Sequence, residues 1–174
     1  MLKQKPFLFA VVYSILVIAF KMYIFYAGLQ ITSIGYFSHI FSLLLITPMV
    51  FLLIFLVRRE RGGQISGKDA LKEGLSFILV AVIIFAVFNY IFYEKELHDY
   101  FVNFKQTKGP GIILEQAQKE GKKFTSDQIT KMINDEINDL SAFKDTTYKL
   151  FSMLMFGIFS SFIASIFLKR GANA

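Results

Sequence analysis

Four long apolar stretches dominate the sequence of 174 residues and constrain its fold more than any other feature. They lie at about residues 6–27, 36–57, 75–93 and 148–168. At roughly 1.5 Å of helical rise per residue, each is long enough to cross the approximately 30 Å of hydrocarbon in a bilayer. The sequence therefore predicts an all-α membrane protein with four transmembrane helices, in which residues 1–174 form a single membrane domain.

The first stretch shares one feature with a cleaved signal peptide, because Lys3 and Lys5 precede it. It is about twice as long as the apolar region of a signal peptide. No small-x-small cleavage pattern follows, since Phe25 stands two residues before Ala27. We expect this stretch to be retained as a transmembrane helix.

Basic residues flank the apolar stretches at the N-terminus, in the middle of the chain and at the C-terminus. They are Lys3, Lys5, Arg58, Arg59, Arg61, Lys68, Lys72, Lys169 and Arg170. Residues 28–35, which connect the first two stretches, carry no charge. Because cytoplasmic loops carry the excess of Lys and Arg, we expect both termini and the turn at residues 58–74 to be cytoplasmic. Residues 94–147 are then extracytoplasmic.

This extracytoplasmic segment has a slight acidic excess and predicts helical excursions between the third and fourth transmembrane helices. Leu97, Phe101 and Phe104 recur at helical spacing and extend the third helix. Residues 109–111 read Gly-Pro-Gly and predict a break, followed by a short helix at residues 112–120 and a second interruption at Gly121.

A second amphipathic helix follows, and Thr125 with Gln128 predicts a capping box at its start. Its apolar face consists of Ile129, Met132, Ile133, Ile137 and Leu140. Such a face packs against the same protein, lies on the membrane surface or binds a partner protein. The sequence leaves these alternatives open.

The turn after the second helix contains Gly62, Gly63, Ile65 and Ser66, and leads into a helix with a further glycine at Gly74. This pattern resembles the domain-of-unknown-function 4199 family of small Bacteroidota membrane proteins. The order of the downstream segments matches over nearly the whole chain, although the Asn-Pro pair that the family often has after the third helix is absent. The resemblance implies four transmembrane helices in an inner membrane and no established activity.

The same turn predicts its own geometry. Gly62 and Gly63 allow positive φ after the second helix, and Ser66 can cap a helix that starts near Gly67 and runs into the membrane. Arg58, Arg59 and Arg61 are candidates for binding a lipid headgroup or phosphate, against the alternative of a structural turn with cations facing lipid.

Polar residues within the apolar stretches are weak candidates for a functional site. Lys21 and His39 lie near the outer ends of their helices, where they anchor at the interface or share a polar pocket. Asn89 predicts an interhelical hydrogen bond, and Pro48 predicts a kink in the second helix.

The fourth helix carries small residues every four positions, at Gly157, Ser161 and Ser165. Such a stripe lets another helix approach closely. It serves packing within the four-helix bundle, homo-oligomerisation or docking on a membrane-protein partner.

Catalytic motifs are missing from the sequence. There is no cysteine, no pair of histidines at metal-binding spacing, no nucleophile elbow and no phosphate-binding glycine loop. His98 with Asp99 and Glu96 is the one constellation that could act as an external metal or acid–base site. We expect no cofactor.

The net charge of +6 does not indicate nucleic-acid binding, because no basic stripe with interleaved aromatics lies outside the apolar stretches. We expect a non-catalytic accessory or scaffolding subunit of a membrane complex, in contact with membrane lipids. The alternative is a lipid-handling protein or small enzyme at the membrane surface, or a helper of a polyprenyl-phosphate glycosyltransferase. A channel or transporter is disfavoured, because no charge lies at midplane and no inverted repeat is detectable.

Overall fold

The computed structural model describes residues 4–169, apart from the side chain of Tyr36. Lys3 and Arg170, two of the flanking cations, lie outside the described residues. The described chain forms α1 (Lys5–Tyr26), α2 (Ser33–Glu60), α3 (Gly67–Phe92), a π-helical turn (Tyr93–Leu97), α4 (His98–Lys119), α5 (Ser126–Asn138) and α6 (Ala142–Leu168). It contains no strand within that range, so the all-α prediction is confirmed.

Four helices are long and apolar enough to cross a membrane. They comprise residues Lys5–Tyr26, Ser33–Glu60, Gly67–Lys119 and Ala142–Leu168. The third of these is the run of α3, the π-helical turn and α4. Their positions match the four predicted stretches and indicate a membrane protein.

The chain divides into two compact units. The first contains Met1–Phe88 and Thr147–Ala174, and the second contains Asn89–Thr146. The sequence predicted one membrane domain and treated most of the second unit as a loop. The division arises because the second unit has an apolar core of its own.

The first unit is built around a core of aliphatic and aromatic side chains from α1, α2, α3 and α6. Its largest fully buried members are Tyr13, Ile46, Val50, Leu53, Ile54, Val57, Phe77, Ile78 and Met153. The Tyr13 hydroxyl donates to the carbonyl oxygen of Ser42 at 2.7 Å. This buried hydroxyl therefore has a hydrogen-bond partner that lipid cannot supply. The opposite faces of these helices expose large apolar residues, as a bundle in lipid requires.

The turn between α2 and α3 has the predicted geometry. Gly62 and Gly63 have φ of 72° and 86°, a region that favours glycine. The backbone N–H of Asp69 donates to Ser66 Oγ at 3.1 Å, and α3 begins at Gly67 and continues without interruption to Phe92. The predicted helix that starts near Gly67 and continues into the third apolar stretch is confirmed.

In the second unit, the predicted break at residues 109–111 is wrong, because α4 runs from His98 to Lys119 with Pro110 inside it. A Cβ on Gly109 would stand 3.4 Å from Ile133 Cγ1, an ordinary van der Waals distance, so α5 packs beside this part of α4. Ile113, one turn further along α4, joins the core formed with Ile133. α4 therefore continues through Pro110 into the segment that contributes Ile113 to this core.

The start of α5 is as predicted. Gln128 N–H donates to Thr125 Oγ1 at 3.3 Å, and Thr125 N–H donates to Gln128 Oε1 at 2.9 Å, which completes the capping box. Gly121, with φ of 67°, ends α4 as the second predicted interruption. The apolar face of α5 packs within its own unit, because Ile129 and Ile133 are buried with Ile113.

Candidate functional site

The most highly charged part of the first unit lies where α1 begins, α2 ends, α3 begins and α6 ends. We call this region the basic end; its cations are Lys5, Arg58, Arg59, Arg61, Lys68, Lys72 and Lys169. The ammonium of Lys5 pairs with the carboxylate of Glu60, which brings the start of α1 beside the end of α2. A Cβ on Gly67 would stand 3.8 Å from Lys169 Cδ, so the end of α6 lies beside the start of α3.

Two of the three arginines proposed for headgroup binding are engaged within the chain. Arg61 Nη1 lies 3.3 Å from Asp69 Oδ2, and its Nη2 donates to Glu73 Oε1 at 3.0 Å. Arg58 Nε donates to the carbonyl oxygen of Gly63 at 2.8 Å. Because Asp69 and Glu73 are one helical turn apart on α3, Arg61 ties the turn to that helix.

The third arginine, Arg59, is exposed on α2. The structure therefore separates the predicted cluster into two guanidiniums that hold the turn and one that faces outward. Chemically, the two engaged groups act as hydrogen-bond donors to fixed partners within the chain, which leaves Arg59 as the member of the set that is available to an external anion.

The small residues of α6 face other helices of the same unit. A Cβ on Gly157 would stand 2.5 Å from Ile78 Cδ1, and a Cβ on Gly74 would stand 2.6 Å from Ser161 Oγ. The stripe on α6 and Gly74 on α3 therefore allow these two helices to pack closely. Ser165, also buried, donates from Oγ to the carbonyl oxygen of Phe162 at 2.7 Å.

Sequence reasoning missed one partner of this face. Ser160 Oγ lies 2.9 Å from Thr47 Oγ1, so a hydroxyl pair links α6 to α2. Thr47 precedes Pro48, and α2 continues through both residues. The sequence signal was present, because Thr and Ser side chains inside membrane helices need a partner. The identity of the pair required the register of the two helices.

Lys21 and His39 occupy different environments. Lys21 is 5% exposed, and its ammonium lies 5.5 Å from the centre of the Phe85 ring, within the range of a cation–π contact. Its side chain is thus buried inside the first unit. His39 is partly buried, and its ring lies 6.2 Å from that of Tyr148 at the start of the fourth span.

Asn89 forms a buried polar cluster in the second unit. Its Nδ2 donates to Asp145 Oδ2 at 2.9 Å and to Thr146 Oγ1 at 2.8 Å, and the side chain of Asn89 is fully buried. These contacts join α3 to the first turns of α6. Sequence analysis anticipated a helix-to-helix hydrogen bond but not its partners, because α6 was predicted to begin six residues later.

His98 makes one weak contact, with its Nδ1 at 3.3 Å from Oδ1 of the neighbouring Asp99. Within residues 4–169, no three His, Asp or Glu side chains come close enough to hold a metal ion. A separate charged groove lies between α4 and α5, where Lys105 Nζ donates to Glu136 Oε2 at 2.5 Å near Asp135 and Asp139. Lys105 and Glu136 thus form an exposed ion pair on a helical surface.

Together, four apolar spans, a close-packed bundle and a basic end define a helical membrane protein. The chain belongs to the family described as "Protein of unknown function (DUF4199)", whose model matches residues 7–170. The resemblance drawn from the turn and the order of segments is therefore confirmed. No curated protein and no solved structure matches the chain.

Proposed function

We propose that this protein is a non-catalytic accessory or scaffolding subunit of an inner-membrane complex. The observation that carries the proposal is the second unit, Asn89–Thr146, which has its own apolar core in a chain with four apolar spans. A small helical unit held at a membrane by apolar spans is an arrangement suited to binding another membrane protein. Its exposed side chains are then the docking surface.

The proposed orientation places the basic end in the cytoplasm and residues 94–147 outside. Positive charge at the basic end favours the cytoplasmic side. At the opposite end of the first unit, the exposed tyrosines Tyr23, Tyr26 and Tyr148 suit the second membrane interface, where amphipathic rings are enriched. The positive charge is the feature that supports this orientation, and the tyrosines are consistent with a second interface at the other end.

The surface available for docking differs from the two surfaces that the sequence suggested. Gly157 and Ser161 of the α6 stripe pack against α3, and Ile129 and Ile133 of the apolar face of α5 are buried against α4. The remaining apolar side chains on the outside of the second unit include Ile112, Leu114 and Met132, next to exposed acidic residues. We infer that a partner protein contacts this outer surface.

Site-specific photocrosslinking in native membranes tests this proposal. A photoreactive phenylalanine analogue replaces Met132 or Leu114, which are 38% and 45% exposed. Buried Ile133 and outward-facing Phe159 serve as matched controls within the core and on the bundle surface. We expect one discrete protein adduct from the two test positions, absent from both controls.

Three outcomes oppose the accessory role. If the test positions yield only lipid adducts, the second unit lies on the membrane surface instead of binding protein. If Phe159 gives the same protein adduct as Met132, the contact is not specific to the second unit. An adduct with a second copy of this chain would identify homo-oligomerisation and replace the accessory role.

A further inference from the structure

The cations of the basic end fall into two groups according to their contacts. Lys5, Arg58 and Arg61 are engaged, each with a named partner inside the chain. The others are exposed, and their side chains make no hydrogen bond or ion pair with any residue between 4 and 169. We call Arg59, Lys68, Lys72 and Lys169 the four unengaged cations.

The charge balance at this end follows from that division. Its acids, Glu60, Asp69 and Glu73, each pair with an engaged cation. The three engaged cations and the three acids therefore cancel, and the four unengaged cations carry the net positive charge. This charge has no counterpart among the described residues of the basic end.

The unengaged cations lie at the ends of three different apolar helices. Arg59 is the penultimate residue of α2, Lys68 is the second residue of α3, and Lys169 directly follows α6. Lys72 is one helical turn beyond Lys68 on α3. Such positions lie at the depth of the phospholipid headgroups when the helices span a bilayer.

We propose that the four unengaged cations form a surface that binds the headgroups of anionic phospholipids. The surface shares only Arg59 with the arginine set that the sequence suggested, since Arg58 and Arg61 hold the turn. Its basis is charge complementarity, because each Lys or Arg near an anionic leaflet raises the binding constant for that leaflet by about fivefold. The inference rests on the proposed placement of the bundle in a membrane, but not on a protein partner.

The chain contains no tryptophan, so a single introduced Trp reports on lipid contact. Phe55→Trp lies one turn before Arg59 on α2, and Leu79→Trp lies two turns after Lys72 on α3; both positions face outward. Tyr23→Trp, also exposed, reports on the opposite end of the first unit. Each full-length variant is reconstituted in phosphatidylcholine vesicles containing phosphatidylglycerol, with one of the two lipids brominated.

At Phe55→Trp and Leu79→Trp, we expect brominated phosphatidylglycerol to quench tryptophan fluorescence more strongly than brominated phosphatidylcholine. The difference should correspond to a severalfold preference for phosphatidylglycerol in contact with the protein. Changing all four unengaged cations to Gln reduces that preference to near one, and Tyr23→Trp shows none. Lys68→Arg, which keeps the charge, retains the preference. The paired change Lys5→Gln with Glu60→Gln is the matched control, because it removes an engaged cation together with its acid and leaves the net charge unchanged; it also retains the preference.

Equal quenching by the two lipids at Phe55→Trp and Leu79→Trp would overturn the inference. So would a preference that survives the fourfold Gln change, or an equal preference at Tyr23→Trp. Added inorganic phosphate tests whether the surface binds free phosphate instead of a lipid headgroup. The lipid assignment is refuted if phosphate abolishes the preference for phosphatidylglycerol while chloride at equal ionic strength does not. Native photocrosslinking of the second unit is unaffected by these results, so this inference and the accessory role fail independently.

Discussion

Close packing of α3 on α6 predicts that Gly74→Ala destabilises the protein. A Cβ at this position would stand 2.6 Å from Ser161 Oγ and 2.8 Å from Ser161 Cβ, which is closer than van der Waals contact allows. Overpacking of this kind costs about 1–3 kcal/mol. Because one clashing atom is Ser161 Cβ, which a rotamer change cannot move away, the cost lies in the upper part of that range, at about 2–3 kcal/mol. Alanine regains about 1 kcal/mol of helix preference over glycine, so we expect a net loss of about 1–2 kcal/mol in the free energy of unfolding.

The compensating change is Ser161→Gly, because it removes both clashing atoms and leaves Ser161 Cα at 3.5 Å. Ser161 Oγ makes no hydrogen bond within residues 4–169, so its removal leaves no partner unsatisfied. The double variant should recover most of the loss, with a coupling energy of about 1 kcal/mol or more. Comparison of the two single variants with the double variant separates the steric clash between positions 74 and 161 from other effects of either substitution.

Unfolding is followed by near-ultraviolet circular dichroism of the detergent-solubilised protein during titration with sodium dodecyl sulfate. Gly67→Ala is the control on the same helix, because its Cβ would meet only Lys169 Cδ at an ordinary 3.8 Å. We expect this control to be neutral or slightly stabilising. A Gly74→Ala variant as stable as the wild type, or a Ser161→Gly change that restores nothing, would refute the packing argument.

Three further predictions concern other parts of the molecule. Thr125→Ala removes the capping box and should lower α5 stability by about 1 kcal/mol, measured as faster amide hydrogen exchange confined to that helix; unchanged exchange would contradict it. Asn89→Asp places a second carboxylate beside Asp145 and should lower the thermal midpoint, with recovery at acidic pH as a carboxylate is protonated; equal loss at all pH values would exclude charge repulsion. With an impermeant thiol reagent on intact cells, Ser126→Cys should be labelled and Ser66→Cys should not; the reverse pattern would invert the proposed orientation.

Much of the fold was predictable because the signals are local. The four spans followed from apolar length, and the start of α3 at Gly67 followed from a glycine turn and a serine cap. The capping box of α5 likewise depends on Thr125 and Gln128, three residues apart. In each case the residues that determine the structure are neighbours in the chain.

The errors occurred where a local preference competed with a distant contact. A proline between two glycines predicts a break, yet α4 continues through Pro110, and its next turn contributes Ile113 to the core shared with Ile133 on α5. The predicted start of the fourth helix, residue 148, was also too late, because it was taken from the first apolar residues. α6 begins at Ala142, among polar residues. That extension contains Asp145 and Thr146, the partners of Asn89.

By itself, the sequence determined that the protein is helical, that four segments can span a membrane and that basic residues collect at one set of helix ends. Hydrophobic length and backbone hydrogen bonding within a helix require no knowledge of the other helices. Tertiary structure decided which charged side chains have partners within the chain. Arg61 donates a hydrogen bond to Glu73, while Arg59 remains exposed. Those choices depend on side-chain contacts between separate helices, whose register and rotation are set by packing.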